Sequence, residues 1–256
     1  YLVPFTSALW STAPAESLGF PASYAVRFFE NHGLLGFRRH RWRTVVGGSR
    51  RYVEAITAPL AGRLRLGAGV RAVRRDADGV EVRTDDDRAH RFDAAVIAAH
   101  APQALAMLAD ADEEERAVLG AFRTTRNVTV LHTDPALLPR RPAARASWNY
   151  LVADCRSPSA LPTVTYYLNK LQRIEGPEHY CVTLNREHGI APDRMLRRLE
   201  YAHPLYTFEA LDAQERLPGL SGRRRTWFCG AYHGFGFHED GLASGLRAAA
   251  ALGAPW

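Results

Sequence analysis

Along residues 1–43 apolar positions recur at helical spacing. YLVPFTSALW reads as one apolar helix and SYAVRFFENHGLL as another, with Ala25, Val26, Phe28 and Phe29 on its apolar face and Gly33 near its stop. A Gly47-Gly48 turn leads into an amphipathic helix whose Val53, Ile56 and Leu60 fall on one side. The period then drops to two in VRAVRRDADGVEVRTDDDRAHRFDAAVIAA, which predicts a hairpin followed by a buried strand over 94–99. APQALAMLADADEEERAVLGAF returns to helical spacing, and its acidic stretch suits the positive end of a helix dipole. From 127 to 185 the runs NVTVLH, ASWNYLV, TVTYYLNKL and HYCVTLN are short, β-branched and aromatic, separated by Pro-rich loops, the pattern of an antiparallel sheet. The last unit, TWFCGAYHGFGFHEDGLASGLRAAAAL, reads as strand, glycine-rich loop and a helix over 242–252. The whole is a mixed α/β (α+β) chain, with βα units at two places around an antiparallel insert.

Composition adds limits. With 256 residues, 46% hydrophobic and 23% charged, the chain is long enough for one large or two modest globular domains. No apolar run approaches the roughly 18 residues of a membrane span, and no signal peptide is evident. Cys155, Cys181 and Cys229 lie far apart, a usage that suits a reducing compartment, so a cytoplasmic protein is expected. The net charge of +6 is carried almost wholly by arginine, since Lys170 is the only lysine. It permits attraction to anionic partners without naming one, and nothing in the chain marks a nucleic-acid-binding fold. The basic, aromatic FRRHRWR at 37–43 is a candidate for peripheral contact with an anionic membrane, against the plainer reading of a solvated loop. Tyr1 falls inside the first apolar run, so a fragment of a longer protein is expected.

Two stretches carry candidate chemistry. Gly67-Ala-Gly69-Val-Arg-Ala72 fits G-x-G-x-x-[GA], but a helix precedes it and an alternating strand follows, the reverse of a dinucleotide fingerprint. The closing unit has the right order. A strand at 226–230 runs through a glycine-rich loop into a helix expected to begin at Asp240-Gly241, where free N–H groups and the dipole make an anion site. Gly241 and Gly245 would let a ligand and a neighbouring strand approach. The plainer alternative is that Asp240 caps the helix and the glycines serve packing. A metal site built from Cys229, His233, His238, Glu239 and Asp240 is a rival, although their spacing matches no standard zinc arrangement. No GxSxG, HExxH or GxxxxGK[ST] is present.

Taken in order, WRTVVGGSRRYVEAI, RLGAGVRAVRR, FDAAVIAAHAPQAL and GAYHGFGFHEDGLASGLRAA resemble the flavin-containing amine-oxidase-like family, above all the bacterial branch of predicted NAD/FAD-binding oxidoreductases. ASWNY and YYLNKLQ look like the same branch, and the resemblance runs over nearly the whole chain. It implies part of a glutathione-reductase-like FAD-binding domain and a substrate domain with an antiparallel sheet and helices, lacking the family's N-terminal GxGxxG unit. The segments it implies are 1–43 (substrate-domain helices), 44–108 (FAD domain), 109–221 (substrate domain) and 222–256 (closing strand-loop-helix of the FAD domain). The implied cofactor is FAD, and the implied activity is hydride transfer from a substrate C–H to flavin N5. By motif, Gly47 and Gly48 match the double-glycine segment that leads into the FAD domain. Val70 matches the strand residue beside the adenine, Ala98 and Ala99 the strand end near the adenosine, and Gly230 and Ala231 the Gly-Glu position. Asp240, Gly241, Leu242 and Ser244 match the start of the closing helix, near pyrophosphate and flavin. Trp148, Tyr150, Tyr167, Asn169 and Lys170 are the substrate-side candidates. Ala231 stands in place of the family's Glu, and Lys170 lies outside the motif of the lysine that some amine oxidases set near N5. Both departures point away from classical amine oxidation, and an aromatic and apolar pocket suits a lipid-like or polyene substrate at least as well as an amine. The alternative from another class is a truncated, non-catalytic scaffold that does not bind FAD alone.

Overall fold

A computed structural model describes residues 2–36, 43–152 and 161–254, so most of FRRHRWR and all of Cys155 lie outside the described residues. In chain order the elements are α1 (Leu2–Leu9), α2 (Pro14–Ser17), α3 (Ala22–Asn31), α4 (Arg50–Thr57), β1 (Val70–Arg75), β2 (Val80–Thr84), β3 (Ala89–Phe92) and β4 (Ala95–Ile97). Then come α5 (Ala101–Met107), α6 (Glu113–Gly120), β5 (Thr124–His132), β6 (Trp148–Leu151), β7 (Thr163–Tyr167), α7 (Leu168–Gln172) and β8 (Cys181–Leu184). The chain closes with β9 (Met195–Pro204), α8 (Phe208–Leu220), β10 (Thr226–Phe228) and α9 (His238–Ala251). No helix among the described residues is long and apolar enough to cross a membrane.

The chain forms two compact units. The first comprises Tyr1–Leu64 and Thr124–His203, and its centre is a five-stranded sheet in the order β6-β7-β8-β5-β9. β6 with β7, β7 with β8, and β5 with β8 pair antiparallel, as the short β-branched and aromatic runs predict. TVTYYLNKL divides: the strand stops at Tyr167 and LNKLQ turns into α7. β9 has no counterpart in the sequence reading. Its segment, MLRRLEYAHP, is charged and without a β-branched residue. It is an edge strand, where Arg198 bonds both Glu187 (2.6 Å) and Glu200 (2.9 Å), and charge on an edge guards against pairing with other chains.

Register divides the sheet into two faces. Trp148, Tyr150, Tyr166, Val164, Leu184 and Thr129 share one; Asn149, Thr165, Tyr167, Thr183, Val130 and His132 share the other. The helices reach the first face: Phe5 of α1 meets Trp148 edge-on with ring centroids 5.7 Å apart, and also packs on Phe29 of α3. α3 buries Tyr24, Phe28 and Phe29, whereas Val26, expected on its apolar face, is exposed. The i, i+4 aromatic pair Tyr24–Phe28 sets that face, and Val26 lies two residues off it. On the second face the Asp134 N–H donates to His132 Nδ1 (3.2 Å), so Nε2–H is the donor to Thr183 Oγ1 (2.8 Å). Burial holds His132 below the usual histidine range.

The second unit comprises Arg65–Arg123 and Pro204–Trp256. Instead of a hairpin plus a buried strand, β1, β2 and β3 form a three-stranded antiparallel sheet, because DDD makes a second turn and AHRF returns along VEVRT. β4 pairs parallel with β10. Only Ile97 of β4 is buried; Val96 is 43% exposed, so the expected buried strand has one covered face. The apolar core gathers Val73, Val80, Ile97, Val118, Leu119, Leu217 and Phe228. Beside it, the fully buried Arg75 binds Glu115 through Nη2 (2.8 Å) and Asp110 through Nε (3.0 Å). Asp112 caps α6 by accepting from Glu115 N–H (2.8 Å), with Glu115 reaching back to Asp112 N–H (2.9 Å), a capping box within the acidic stretch read from the sequence.

The unit boundaries differ from the expected segments. Residues 44–64 belong with the first unit, and 109–123 and 204–221 with the second. Motif changes mark where the chain alters character, whereas the apolar faces of α6 and α8 decide which core they join.

Candidate functional site

The closing unit is built as strand, loop and helix. β10 runs parallel to β4 and continues through Cys229, whose N–H donates to Ile97 O (3.1 Å). The two strands therefore end side by side, at Ala98-Ala99 and Gly230-Ala231. Gly230 sits at φ +155°, and a Cβ there would lie 2.7 Å from Tyr232 Cε1 and 3.3 Å from Ala99 O, so the position admits only glycine. Ser244, buried on α9, holds that residue: its Oγ accepts from Gly230 N–H at 2.9 Å and lies 2.7 Å from Gly241 O. Gln214 of α8 secures the loop by donating to the carbonyls of Tyr232 (2.9 Å) and Gly234 (2.7 Å).

α9 begins at His238, three residues before the expected start. Asp240 is not at the cap position. It lies in the first turn, and its Oδ2 accepts from Phe237 N–H at 2.9 Å. Gly241 N–H already donates to Phe237 O (3.2 Å), so the free amides of this terminus belong to earlier residues. A Cβ on Gly241 would meet only Ala231 N, at 3.8 Å, and one on Gly245 would meet nothing within 4 Å. Gly245 therefore makes no close approach to a strand. Leu242 is 55% exposed on the first turns of α9.

Of the other polar side chains in this stretch, Cys229 and His233 are largely buried, whereas His238 and Glu239 are exposed on the first turn of α9. Among the described residues, no three His, Cys, Asp or Glu side chains come together to hold a metal ion. Cys229 is buried, which pushes its thiol up. His233 is lowered from 6.5 to about 4, first by burial and then by Arg247, and its Nε2 has no hydrogen-bond partner. It lines a cavity of about 340 Å³ with Gln214, Trp227, Ser244 and Arg247. The Gly67–Ala72 stretch is a turn into β1, with Asp85 N–H donating to Gly69 O (2.9 Å).

The substrate-side candidates divide within the first unit. Trp148 and Tyr150 share a sheet face, while Tyr167 is on the other, its hydroxyl 2.9 Å from His179 Nδ1. Asn169 braces a loop: its side chain accepts from Tyr180 N–H (2.7 Å) and donates to Glu178 O (2.8 Å) and Ile174 O (3.2 Å). Lys170 Nζ donates to Arg145 O (2.8 Å). Gln214 was missed by sequence reasoning: Thr207 caps α8 and Ala210, Ala213 and Leu217 recur at helical spacing, but that pattern does not tell what a polar residue of the helix will bond.

Parallel strands that end together before a helix N-terminus define the ligand crevice of an α/β nucleotide-binding fold. The residues fit a flavin nucleotide: the strand ends carry only glycine and alanine, Gly241 leaves room over the first helical turn, and Val70, Val96 and Leu242 present exposed apolar surface. A sequence model of flavin containing amine oxidoreductases matches residues 5–136, just over half of the chain. The chain belongs to that family, whose cofactor is a flavin, FAD. No curated protein sequence matches it. Among solved structures, it is similar to a CLA-producing fatty acid isomerase from P. acnes at TM-score 0.66 and 15% identity, over 97% of this chain and 62% of that one. It is also similar to cyclohexylamine oxidase from Brevibacterium oxydans IH-35A (TM-score 0.63, 13% identity, 98% of this chain and 63% of that one). A putrescine oxidase matches at TM-score 0.54 and 13% identity, over 82% of this chain and 53% of that one. At these identities the likeness is one of fold. The chain spans about three-fifths of the length of the first two proteins.

Proposed function

We propose that this chain carries the closing half of an FAD cradle and the substrate sheet of an FAD-dependent oxidoreductase that acts on a lipid-like or polyene substrate. The observation that carries this reading is the lock between Ser244 and Gly230, which fixes the end of β10 against α9 and keeps the strand end free of side chains. Bound FAD supplies a hydride acceptor at N5. The chain's own part is to bind and orient. Ala98, Ala99, Gly230 and Ala231 let a nucleotide approach the backbone. Gly241 and Leu242 offer open space and an apolar side chain to the ring, and the early amides of α9 bring the positive end of its dipole toward an anionic group. Val70 adds apolar surface on the adenine side. Asp240 satisfies Phe237 N–H, so its carboxylate steadies the turn that the cofactor would meet. In the first unit, the aromatic pair Trp148 and Tyr150 is the substrate-facing candidate. Tyr167 is braced by His179, Lys170 lines a separate cleft in the same unit, and Asn169 ties down the loop that follows α7.

A lipid-like substrate is supported by the fold shared with a fatty acid isomerase and by the aromatic pair Trp148 and Tyr150 on one face of the sheet. The test is the absorbance of the purified full-length protein. Oxidised flavin bands near ~450 nm are expected, with hydride transfer followed as bleaching on addition of substrate. A protein that carries no flavin and takes up none overturns the reading. Metal analysis of the same sample decides the rival use of the 229–240 loop.

A further inference from the structure

The first unit contains a cleft of about 550 Å³ whose lining includes Arg43, Lys170 and Arg173 and no acidic residue. Among the described residues none of these three cations makes an ion pair; Lys170 bonds only the Arg145 carbonyl. The backbone that carries Lys170 and Arg173 is held in place. Arg173 adopts a left-handed conformation (φ 53°, ψ 46°), with its N–H on Asn169 O, while the Asn169 side chain ties down the loop that follows. A non-glycine residue is kept there only when its surroundings enforce it. The opposite wall comes from the Gly47-Gly48 turn, with φ +84° and +81°, which passes so close to α7 that a Cβ on Gly48 would lie 3.6 Å from Gln172 Oε1. That turn presents Val46, 92% exposed, and α7 presents Leu171, 38% exposed, beside the cations.

Cations that converge beside uncovered apolar side chains match a ligand with an anionic head and an alkyl tail. We infer that this cleft is a recognition site for a long-chain carboxylate, with Lys170 and Arg173 on the carboxylate oxygens and Val46 and Leu171 against the chain. This inference rests on the lipid-like reading of the substrate and names its chemical class. Charge-assisted hydrogen bonds from a lysine and an arginine favour the carboxylate, whereas an alkylammonium of equal length meets like charge. Asn169 acts as a positioning residue, through the loop it holds.

The test is calorimetric titration of the flavin-loaded full-length protein with dodecanoate below its micellar concentration, alongside dodecylammonium, inorganic phosphate and phosphatidylglycerol vesicles. Dodecanoate is expected to bind at least about tenfold more tightly than dodecylammonium, the worth of one charge-assisted hydrogen bond. Lys170→Met and Arg173→Gln should each weaken dodecanoate by about tenfold, and Lys170→Arg should restore most of the loss. Equal binding of dodecylammonium, or undiminished binding by the Lys170→Met/Arg173→Gln double variant, overturns the inference. Phosphate that competes with dodecanoate at equal concentration assigns the cleft to free phosphate, and binding to vesicles without binding of the free acid assigns it to a lipid headgroup; either also overturns it. A sample with full flavin bands that fails to bind dodecanoate sinks this inference alone, whereas a sample without flavin sinks the oxidoreductase reading.

Discussion

Gly241 and Gly230 flank the same proposed crevice, yet their substitutions should act in opposite directions on the fold. At Gly241 an added Cβ meets only one atom, Ala231 N at 3.8 Å, an ordinary van der Waals contact. The residue lies inside α9 and its N–H already holds the first helical bond to Phe237 O. Replacing a helical glycine by alanine there should stabilise the chain by up to about 1 kcal/mol. At Gly230, φ is +155° and the same methyl would lie 2.7 Å from the Tyr232 ring. Backbone strain and overlap together should cost about 3 kcal/mol or more. If the crevice over the first turn of α9 receives flavin, both substitutions lose cofactor, but only Gly230→Ala loses the fold with it. The assay pairs urea denaturation with flavin absorbance per mole of full-length protein, for Gly241→Ala, Gly241→Leu and Gly230→Ala. Full flavin occupancy in a stable Gly241→Leu protein would refute the placement of the cofactor against α9.

Other expectations follow from the same structure. Ser244→Ala removes the acceptor of Gly230 N–H and should cost about 1–3 kcal/mol in urea denaturation, the penalty of an unsatisfied buried donor; an unchanged midpoint would show that the lock is not formed. Arg75→Met leaves Glu115 buried without its partner and should destabilise by about 3–5 kcal/mol, with Glu115→Gln in the same background recovering part of it. His233 is lowered from 6.5 to about 4 in the folded chain, so between those values the unfolded chain binds more protons. Its contribution is then fully present above pH 6.5 and is lost as the pH falls toward 4. Stability measured at pH 7, 5.5 and 4 should fall less steeply in His233→Leu, while His132, also lowered by burial, keeps a residual slope of the same sign. Cys181, pushed up to about 11 by burial, should react with iodoacetamide only after denaturant is added.

What the sequence reveals of the fold is the part governed by local periodicity. The four predicted strand runs between 127 and 185 all contain strands, because their β-branched and aromatic residues suit a pleated sheet. β9 escaped because an edge strand rich in paired charge, such as Arg198 with Glu187 and Glu200, has no apolar face to announce it. α4 shows the converse. Its Val53 and Ile56 keep a helical period, yet both are exposed in this chain, since periodicity reports a face and not what covers it. Val96 is exposed for a related reason. Parallel strands are ordinarily covered on both faces, and β4 has one neighbouring strand, β10.

The candidate site was legible as an order of elements but not as a distribution of roles. From sequence, Asp240 and the histidines were the conspicuous chemistry of the closing loop, and Ser244 was a helix residue known only by resemblance. In the structure Asp240 satisfies a backbone amide, Ser244 clamps Gly230, and Gln214 holds two loop carbonyls that lie 18 and 20 residues away in sequence. Each polar side chain that orders the crevice is thus turned inward on the backbone. What remains at the surface is glycine, alanine, an exposed leucine and the first turn of α9, where the side chains of His238 and Glu239 are exposed. A site of that composition can position a ligand closely and tune it by the helix dipole, and its exposed titratable groups stand on the helix start, away from the bonds that order the loop. In the first unit, the cations around Lys170 make no ion pair among the described residues, and substrate specificity should be sought there as well.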